Sequence, residues 1–250
     1  MLASKKDKLF FTLGAFFVTN AIVAELIGGK LIVLGSTDFQ FALNLGVFAT
    51  NIGPFILSVG VFPWPIVFLS TDLINEYFGK QGVRRITNIG VIMIIYTFMI
   101  IYITMIPDAA EGISPVTDES YNQVLGQSMW IIFGSIIAFI VSQIVDVVVF
   151  HIFRRRTGGR LLWVRATGST IVSQLIDSVI ILGIAFYLPG KINLSQYLGF
   201  AITNYSYKVL IAIIITPLIY LGHDIIDRYL GREVSEEMIE DAALKSQNLF

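Results

Sequence analysis

Long apolar runs separated by short polar segments dominate the chain. A helix needs about 20 residues to cross the hydrocarbon core of a bilayer, and six runs reach that length. They cover residues 9–29, 47–77, 86–106, 128–153, 164–188 and 196–222. The pattern therefore predicts an all-α integral membrane protein, built as a bundle of six transmembrane helices.

The second of these runs contains three prolines, Pro54, Pro63 and Pro65. Proline inside a helix removes one backbone hydrogen bond and clashes with the preceding turn. We therefore predict that the second helix is kinked or broken at residues 63–65. The carbonyl groups freed there need a protein interior or a wet cavity to satisfy them.

Residues 30–46 show a different period from the apolar runs. Large side chains alternate with smaller or polar ones along this segment, at Phe39, Phe41, Leu43 and Leu45. Alternation of this kind is typical of a half-buried strand, and residues 35–38 (GSTD) have turn chemistry. The segment predicts a short external β-hairpin, with an irregular loop as the alternative.

Positive charge alternates between the predicted connections. Lysines and arginines concentrate before residue 9, at 80–85 and at 154–165, whereas the loop 107–127 contains neither. Connections rich in Lys and Arg remain in the cytoplasm, so both termini are expected there. We predict a membrane domain over residues 1–222 and an acidic cytoplasmic tail over residues 223–250, which is either a plain extension of the chain or a solvated helix that frays.

Composition narrows the function classes. Hydrophobic residues make up 55% of the chain and charged residues 14%, against about 45–50% and about 25% in soluble domains. The net charge of −1 provides no basic field for nucleic acid. The chain has no cysteine and only two histidines. We therefore expect no metal or other cofactor and no nucleic-acid partner.

A repeated pentad is the strongest chemical signal. Residues 142–146 (SQIVD) recur 31 positions later as residues 173–177 (SQLID), and both copies lie inside apolar runs. An aspartate at membrane depth costs roughly 2.5–3.5 kcal/mol and commonly marks a polar pathway. In each copy the serine and glutamine precede the aspartate by four and three residues, so all three share a helix face.

Other polar residues occur at comparable positions along the predicted spans. These are Asn20, Asp72, Asn75 and Lys208, and Lys208 is expected to neutralise one of the aspartates. Glu76 is expected to be solvated near the interface, and topology alone explains the arginines at 154–165. The alternative for the repeat is helix–helix adhesion, in which each polar contact contributes only about 0.6–2 kcal/mol.

Four blocks of sequence carry a resemblance to a known family. They are residues 62–79 (FPWPIVFLSTDLINEYFG), 142–150, 169–178 and 205–220. In this order they resemble the signature of the queuosine precursor transporters, also called the vitamin uptake transporter family. The resemblance covers residues 10–222 and leaves out the loop 107–127 and the tail.

The resemblance implies a bacterial inner-membrane importer of 7-deazaguanine bases, the precursors salvaged for queuosine in tRNA. A carboxylate can accept both N–H donors on the edge of such a base. A buried amide can bind the neighbouring carbonyl, and aromatic rings such as Phe62, Trp64, Phe68 or Tyr205 can stack on the flat base. The candidate substrate-binding residues are Asp177, Gln174, Ser173, Asp146, Gln143, Ser142, Asp72, Asn75, Lys208, Asn20, Phe68 and Tyr205.

Two other functions are compatible with the sequence. The chain is about the size of the substrate-binding subunits of energy-coupling-factor vitamin transporters, which dock on a separate ATP-driven module. A membrane enzyme is disfavoured, because His-Glu-x-x-His and Gly-x-Ser-x-Gly motifs are missing. The chain also lacks a phosphate-binding loop, so a proton gradient is one expected source of energy. A monomer and a homodimer are both compatible with the sequence.

Overall fold

The apolar runs form long helices. The computed structural model describes residues 4–33, 41–44, 49–52, 56–126, 129–157 and 161–247. Within these ranges the helices are α1 (Lys5–Ile27), α2 (Trp64–Thr104), α3 (Asp118–Leu125), α4 (Met129–Arg156), α5 (Leu162–Leu182), α6 (Leu194–Leu230) and α7 (Arg232–Gln247). A π-helical turn over Gly183–Tyr187 extends α5.

Five helical stretches in the described part of the chain are long and apolar enough to cross a membrane. They include all or most of α1, α2, α4, α5 and α6. Large apolar side chains point outward from these helices, for example Ile92, Phe133, Ile144 and Ile214. An outward apolar surface of this extent suits a lipid environment, and the protein is an α-helical, multi-pass membrane protein.

Helix α2 is interrupted at Gly79. Its 41 residues correspond to about 60 Å of helix at 1.5 Å per residue, roughly twice the thickness of the hydrocarbon core. Gly79 has φ 65° and ψ −168°, a backbone region that essentially only glycine occupies. The predicted span 86–106 is therefore the second half of α2, and the interruption at Gly79 lies between the predicted spans 47–77 and 86–106.

The break does not lie at the prolines, and the second helix does not begin at residue 47. Pro63 is the N-cap of α2 and Pro65 lies in its first turn, where a missing N–H leaves no intrahelical bond unmade. The prolines thus start the helix instead of bending it. Residues 49–52 and 56–58, which the apolar pattern placed in this span, are strands.

Four short strands precede α2: β1 (Leu31–Val33), β2 (Phe41–Asn44), β3 (Ala49–Ile52) and β4 (Ile56–Ser58). They form two antiparallel pairs, β2 with β3 and β1 with β4. A hairpin within residues 30–46, as predicted, would pair β1 with β2. The strand pairing in the structure is therefore different from the predicted one. Residues 49–52 and 56–58 supply the partners of β2 and β1, and the predicted turn at 35–38 lies outside the described residues.

Helix α7 packs against the bundle instead of fraying into solvent. Helix α6 continues past residue 222 to Leu230, and α7 follows directly. Ser235, Met238 and Ala242 form the buried face of α7, and Met238 joins a cluster with Leu73 and Tyr77 of α2. The acidic residues of α7 lie on its exposed face. The expected frayed tail is therefore wrong over residues 232–247, because the helix is amphipathic.

Candidate functional site

A cavity of about 260 Å³ opens between α1, the start of α2, α4, α5 and α6. Its polar lining comes from side chains on four different helices and the turn before α2. These are Glu25, Ser58, Ser135, Asp177, Asn204 and Lys208. Two of the residues predicted from the sequence, Asp177 and Lys208, are therefore brought to one concave surface.

Asp177 and Lys208 form a buried ion pair across the α5–α6 interface. The Lys208 Nζ donates a hydrogen bond to Asp177 Oδ2, and both residues are less than a tenth exposed. The attraction between the two charges offsets part of the cost of burying them, whereas either charge alone would be buried without compensation. This confirms the expectation that Lys208 neutralises one of the repeated aspartates.

Glu25 of α1 adds a second carboxylate to the cavity. Ser135 of α4 donates a 2.6 Å hydrogen bond to Glu25 Oε2, and Glu25 lies within electrostatic range of Asp177. Ser135 is not among the residues predicted from the sequence, because it is a lone serine in a long apolar run. The only signal for it was its polarity inside a predicted span.

The apolar lining of the cavity includes Trp64, Phe186 and Phe200. The Trp64 ring packs against Phe68 and Phe139, with centroid separations of 5.6 Å and 5.9 Å. Trp64 is thus held on one wall of the cavity by rings behind it. The structure provides flat aromatic surfaces beside the charged groups.

Gly60 allows the close approach of the chain at the cavity wall. A Cβ at this position would lie 2.5 Å from the Ala24 carbonyl oxygen and 2.9 Å from the Gly28 Cα. Only glycine lets the turn before α2 meet the end of α1 this closely.

Several predicted residues lie away from the cavity lining. Phe68 is buried behind Trp64, and Tyr205 is half-buried on α6. The side-chain amide of Asn20 donates to the Phe16 carbonyl of its own helix at 2.8 Å.

A second group of buried polar residues lies away from the cavity lining. We call it the carboxylate cluster, and it consists of Asp72, Asn75 and Glu76 of α2, Asp146 of α4 and Ser173 of α5. Their exposed fractions are 3%, 0%, 1%, 6% and 1%. Ser173 Oγ donates to Asp146 Oδ1 at 3.2 Å. Asp72 lies within electrostatic range of Asp146 and Glu76. The charges predicted to meet in one zone are therefore divided between two sites.

Glu76 is paired with two arginines and is not solvated as expected. Arg165 donates a 2.6 Å hydrogen bond to Glu76 Oε1, and Arg154 lies 3.8 Å from the same oxygen. Arg154 also donates to the Ile239 carbonyl of α7 at 2.8 Å. These arginines therefore have structural partners beyond the topology that the charge pattern indicated.

Three buried groups of the carboxylate cluster have polar atoms without hydrogen-bond partners among the described residues. They are Asp72 Oδ1, Glu76 Oε2 and both side-chain atoms of the Asn75 amide, its oxygen and its nitrogen. A buried polar atom without a partner costs about 1–3 kcal/mol. Such atoms commonly indicate a ligand, a water or a proton-dependent contact.

The remaining residues of the two pentads have separate surroundings. Ser142 donates to the Phe139 carbonyl of its own helix at 3.1 Å, and Gln174 is buried on α5. Gln143 lines a lateral groove beside Lys80 and Thr87 of α2. The two copies of the pentad therefore do not form one shared pocket.

Comparison with known proteins gives a consistent result. A family model described as "Putative vitamin uptake transporter" matches residues 58–222, which contain the carboxylate cluster and most of the cavity lining. No solved structure matches the chain.

Three bacterial relatives were found among curated proteins. A "Probable queuosine precursor transporter" of Bacillus subtilis (strain 168) is 32% identical over 162 residues, covering 64% of this chain and 69% of the relative. The "Queuosine precursor transporter" of Escherichia coli (strain K12) is 28% identical over 156 residues, covering 62% and 67%. A Haemophilus influenzae protein named like the first is 26% identical over 183 residues, covering 72% and 74%.

Proposed function

The chain belongs to the vitamin uptake transporter family, and we propose that it imports queuosine precursors, the 7-deazaguanine bases, across a bacterial inner membrane. The observation that carries this proposal is the cavity in which Asp177, Lys208, Glu25 and Asn204 meet beside aromatic walls. A guanine-like base is flat and has hydrogen-bond donors and acceptors along one edge. The cavity offers complementary groups for both the edge and the faces.

The Asp177 carboxylate is the anchor of the bound base in this proposal. It accepts the two adjacent N–H donors of the guanine-like edge, a charge-assisted arrangement that is about twice as strong as a neutral one. Lys208 stays beside Asp177 and donates to the carbonyl of the base. Asn204 contributes its side-chain oxygen, since its nitrogen already donates to the Phe200 carbonyl at 2.9 Å.

Trp64 and Phe200 are the stacking surfaces. Stacking of a base on an aromatic side chain contributes about 1–3 kcal/mol in single-stranded nucleic-acid complexes. Trp64 is one of the four aromatic residues that the sequence offered for this role. In the proposal Phe68 supports Trp64 from behind, and Gln143, Gln174, Ser142, Asn20 and Tyr205 have no direct contact with the base.

The orientation in the membrane follows from charge. With both halves of α2 crossing, the chain has six spans and both termini are cytoplasmic. The cavity then faces the outside, because its lining comes from the end of α1 and the starts of α2, α4 and α6. The carboxylate cluster lies further toward the cytoplasm, near Arg154 and Arg165. The substrate enters from the cavity side.

Direct binding to the purified protein tests this function. Queuine and its two bacterial precursors are titrated by isothermal calorimetry, with guanine as the control ligand. We expect binding of at least one 7-deazaguanine base to the wild type and clearly weaker binding to Asp177→Asn. Binding of no such base by a folded wild type would refute the proposal.

Uptake by proteoliposomes that contain this chain alone distinguishes two modes of import. Uptake under these conditions identifies a self-sufficient transporter. Binding without uptake identifies a substrate-binding subunit that needs a separate ATP-driven module. A base recovered in chemically altered form would identify an enzyme.

A further inference from the structure

The carboxylate cluster has a chemistry that substrate binding in the cavity does not use. We propose that Asp72 and Asp146 together hold one exchangeable proton, and that this proton couples import of the base to the proton gradient. The inference rests on the proposed transport function, and it assigns to Asp72, Asn75 and Asp146 a role distinct from base binding.

Charge balance around the cluster is the first argument. Arg154 and Arg165 provide two buried positive charges, and Glu76 engages both of them. Asp72 and Asp146 add two further buried carboxylates, and neither forms an ion pair within the described residues. Among these five described groups one negative charge is therefore in excess, and a buried charge without compensation is strongly unfavourable. A single bound proton removes this excess.

The groups that face the cluster come from every neighbouring helix. Glu76 of α2 and Arg165 of α5 lie within electrostatic range of Asp72, together with Asp146 of α4. The charged and titratable groups around Glu76 and the two arginines are Lys80 of α2, His151 and Arg155 of α4, and His223 and Asp227 of α6. Arg165 acts on Asp72 only at a distance, because its guanidinium is hydrogen-bonded to Glu76. Since the two carboxylates lie close enough to repel each other, they cannot both be ionised at low cost.

Unpartnered polar atoms are the second and independent argument. Asn75 follows Asp72 by three residues, so the two share one face of α2. Asn75 is fully buried, and both polar atoms of its amide are without partners in the part of the chain that the structure describes. A protonated carboxyl carries an O–H donor, the kind of partner that the Asn75 side-chain oxygen needs.

The donor set favours a proton over a metal ion. The described residues contain no group of three or more His, Cys, Asp or Glu side chains arranged to hold a metal. Asp146 already accepts a hydrogen bond from Ser173, a contact that suits a carboxyl group changing its protonation state.

Helix α5 links the proton site to the base site. Ser173 contacts Asp146 in the carboxylate cluster, and Asp177 lines the cavity one turn later. Four residues correspond to about 6 Å along a helix axis. A shift of α5 on protonation of the cluster therefore reaches Asp177 without any intermediate contact.

Two transport measurements in proteoliposomes, both made with a radiolabelled 7-deazaguanine base, separate coupling from translocation. Counterflow of the base needs only translocation, whereas accumulation against its gradient needs the coupling proton. Asp72→Asn and Asp146→Asn are compared with Asp224→Asn, which changes an exposed aspartate of α6. We expect Asp224→Asn to match the wild type. We expect the two cluster variants to keep counterflow within twofold while their accumulation ratio falls to one.

A wild-type measurement keeps the inference testable if a variant does not fold. Addition of the base outside the vesicles should alkalinise the weakly buffered medium, read with a pH dye, as protons enter with the base. Counterflow without this pH change would overturn the inference. Accumulation driven by a Na⁺ gradient, or full accumulation in both cluster variants, would also overturn it.

Two further outcomes show whether the coupling role alone or the proposed transport function is refuted. Loss of counterflow in folded cluster variants would place Asp72 and Asp146 on the path of the base and would refute the coupling role alone. A wild type that neither binds nor exchanges any 7-deazaguanine base would refute the proposed function, and the inference with it.

Discussion

Ser173 of the second pentad donates a hydrogen bond to Asp146 of the first, across the α4–α5 interface. The two helices run antiparallel, so a symmetric repeat would also pair Ser142 with Asp177. Instead Ser142 donates to its own helix and Asp177 pairs with Lys208. The two copies of the repeat thus have the same sequence pattern but different environments, because Lys208 of α6 forms an ion pair with only one of the aspartates.

Asp177→Asn is expected to weaken binding of a 7-deazaguanine base about 10- to 100-fold, since hydrogen bonds to charged groups contribute about 1.5–3 kcal/mol. Asp146→Asn is the matched control, because it makes the same change in the other copy of the pentad. It should leave binding within threefold of the wild type. Calorimetry on purified protein measures both, and equal losses in the two variants would contradict the separation of the sites.

Lys208→Ala is expected to destabilise the protein by about 3–5 kcal/mol, because it leaves the buried Asp177 carboxylate without a partner. The double variant Lys208→Ala with Asp177→Asn should recover much of this loss but not the binding of base. Thermal unfolding in detergent measures the effect, with Lys191→Ala at an exposed lysine as the control. A single variant as stable as the wild type would show that the ion pair contributes little.

Gly79→Ala is expected to destabilise the protein by about 1–3 kcal/mol, the cost of forcing a side chain into a backbone region reserved for glycine. An added Cβ would also lie 3.2 Å from the Ala242 carbonyl oxygen of α7. Gly112→Ala is the control, since Gly112 also has a positive φ but has open space around it. A smaller loss at Gly79 than at Gly112, measured by thermal unfolding, would contradict the packing of α7 at the break.

Met238→Asp is expected to detach α7 from the bundle, because it places a charge in the apolar cluster with Leu73 and Tyr77. Limited trypsin digestion should then cleave at Arg232 and Lys245 faster than in the wild type. Glu236→Asp, on the exposed face of α7, should leave cleavage unchanged. Unaltered digestion of Met238→Asp would mean that α7 is not held by this face.

The sequence carried enough information for the helical class, because membrane burial demands long apolar runs and these are visible without a structure. It misassigned residues 49–52 and 56–58, since short strands and buried helices look alike in hydropathy alone. The starting point of α2 was marked by Pro63 and Pro65 at its N-terminus, a signal that was instead interpreted as a kink. Helix α7 is indicated by the spacing of its buried residues and not by its mean hydropathy, because Ser235, Met238 and Ala242 recur at intervals of three and four residues.

The division into two sites was beyond the reach of the sequence. Asp146 and Asp177 have the same local pattern, although Asp146 lies somewhat closer to the cytoplasmic end of its span. What separates them is the rotation of each helix and the neighbour it faces, and both depend on tertiary packing. Glu76 illustrates the same limit, because its partners Arg154 and Arg165 come from two other helices.

Packing of α7 beside the Gly79 break has a practical consequence for anyone labelling this protein. A fluorescent reporter joined near Gln247 would pull on a helix that touches the interruption in α2. A reporter near the N-terminal end of α1 would also disturb packing, since Lys5 and Lys6 contact Tyr229 and Glu237. An epitope inserted among the exposed residues 110–117 would disturb none of these contacts and would report the sidedness of the chain in intact cells.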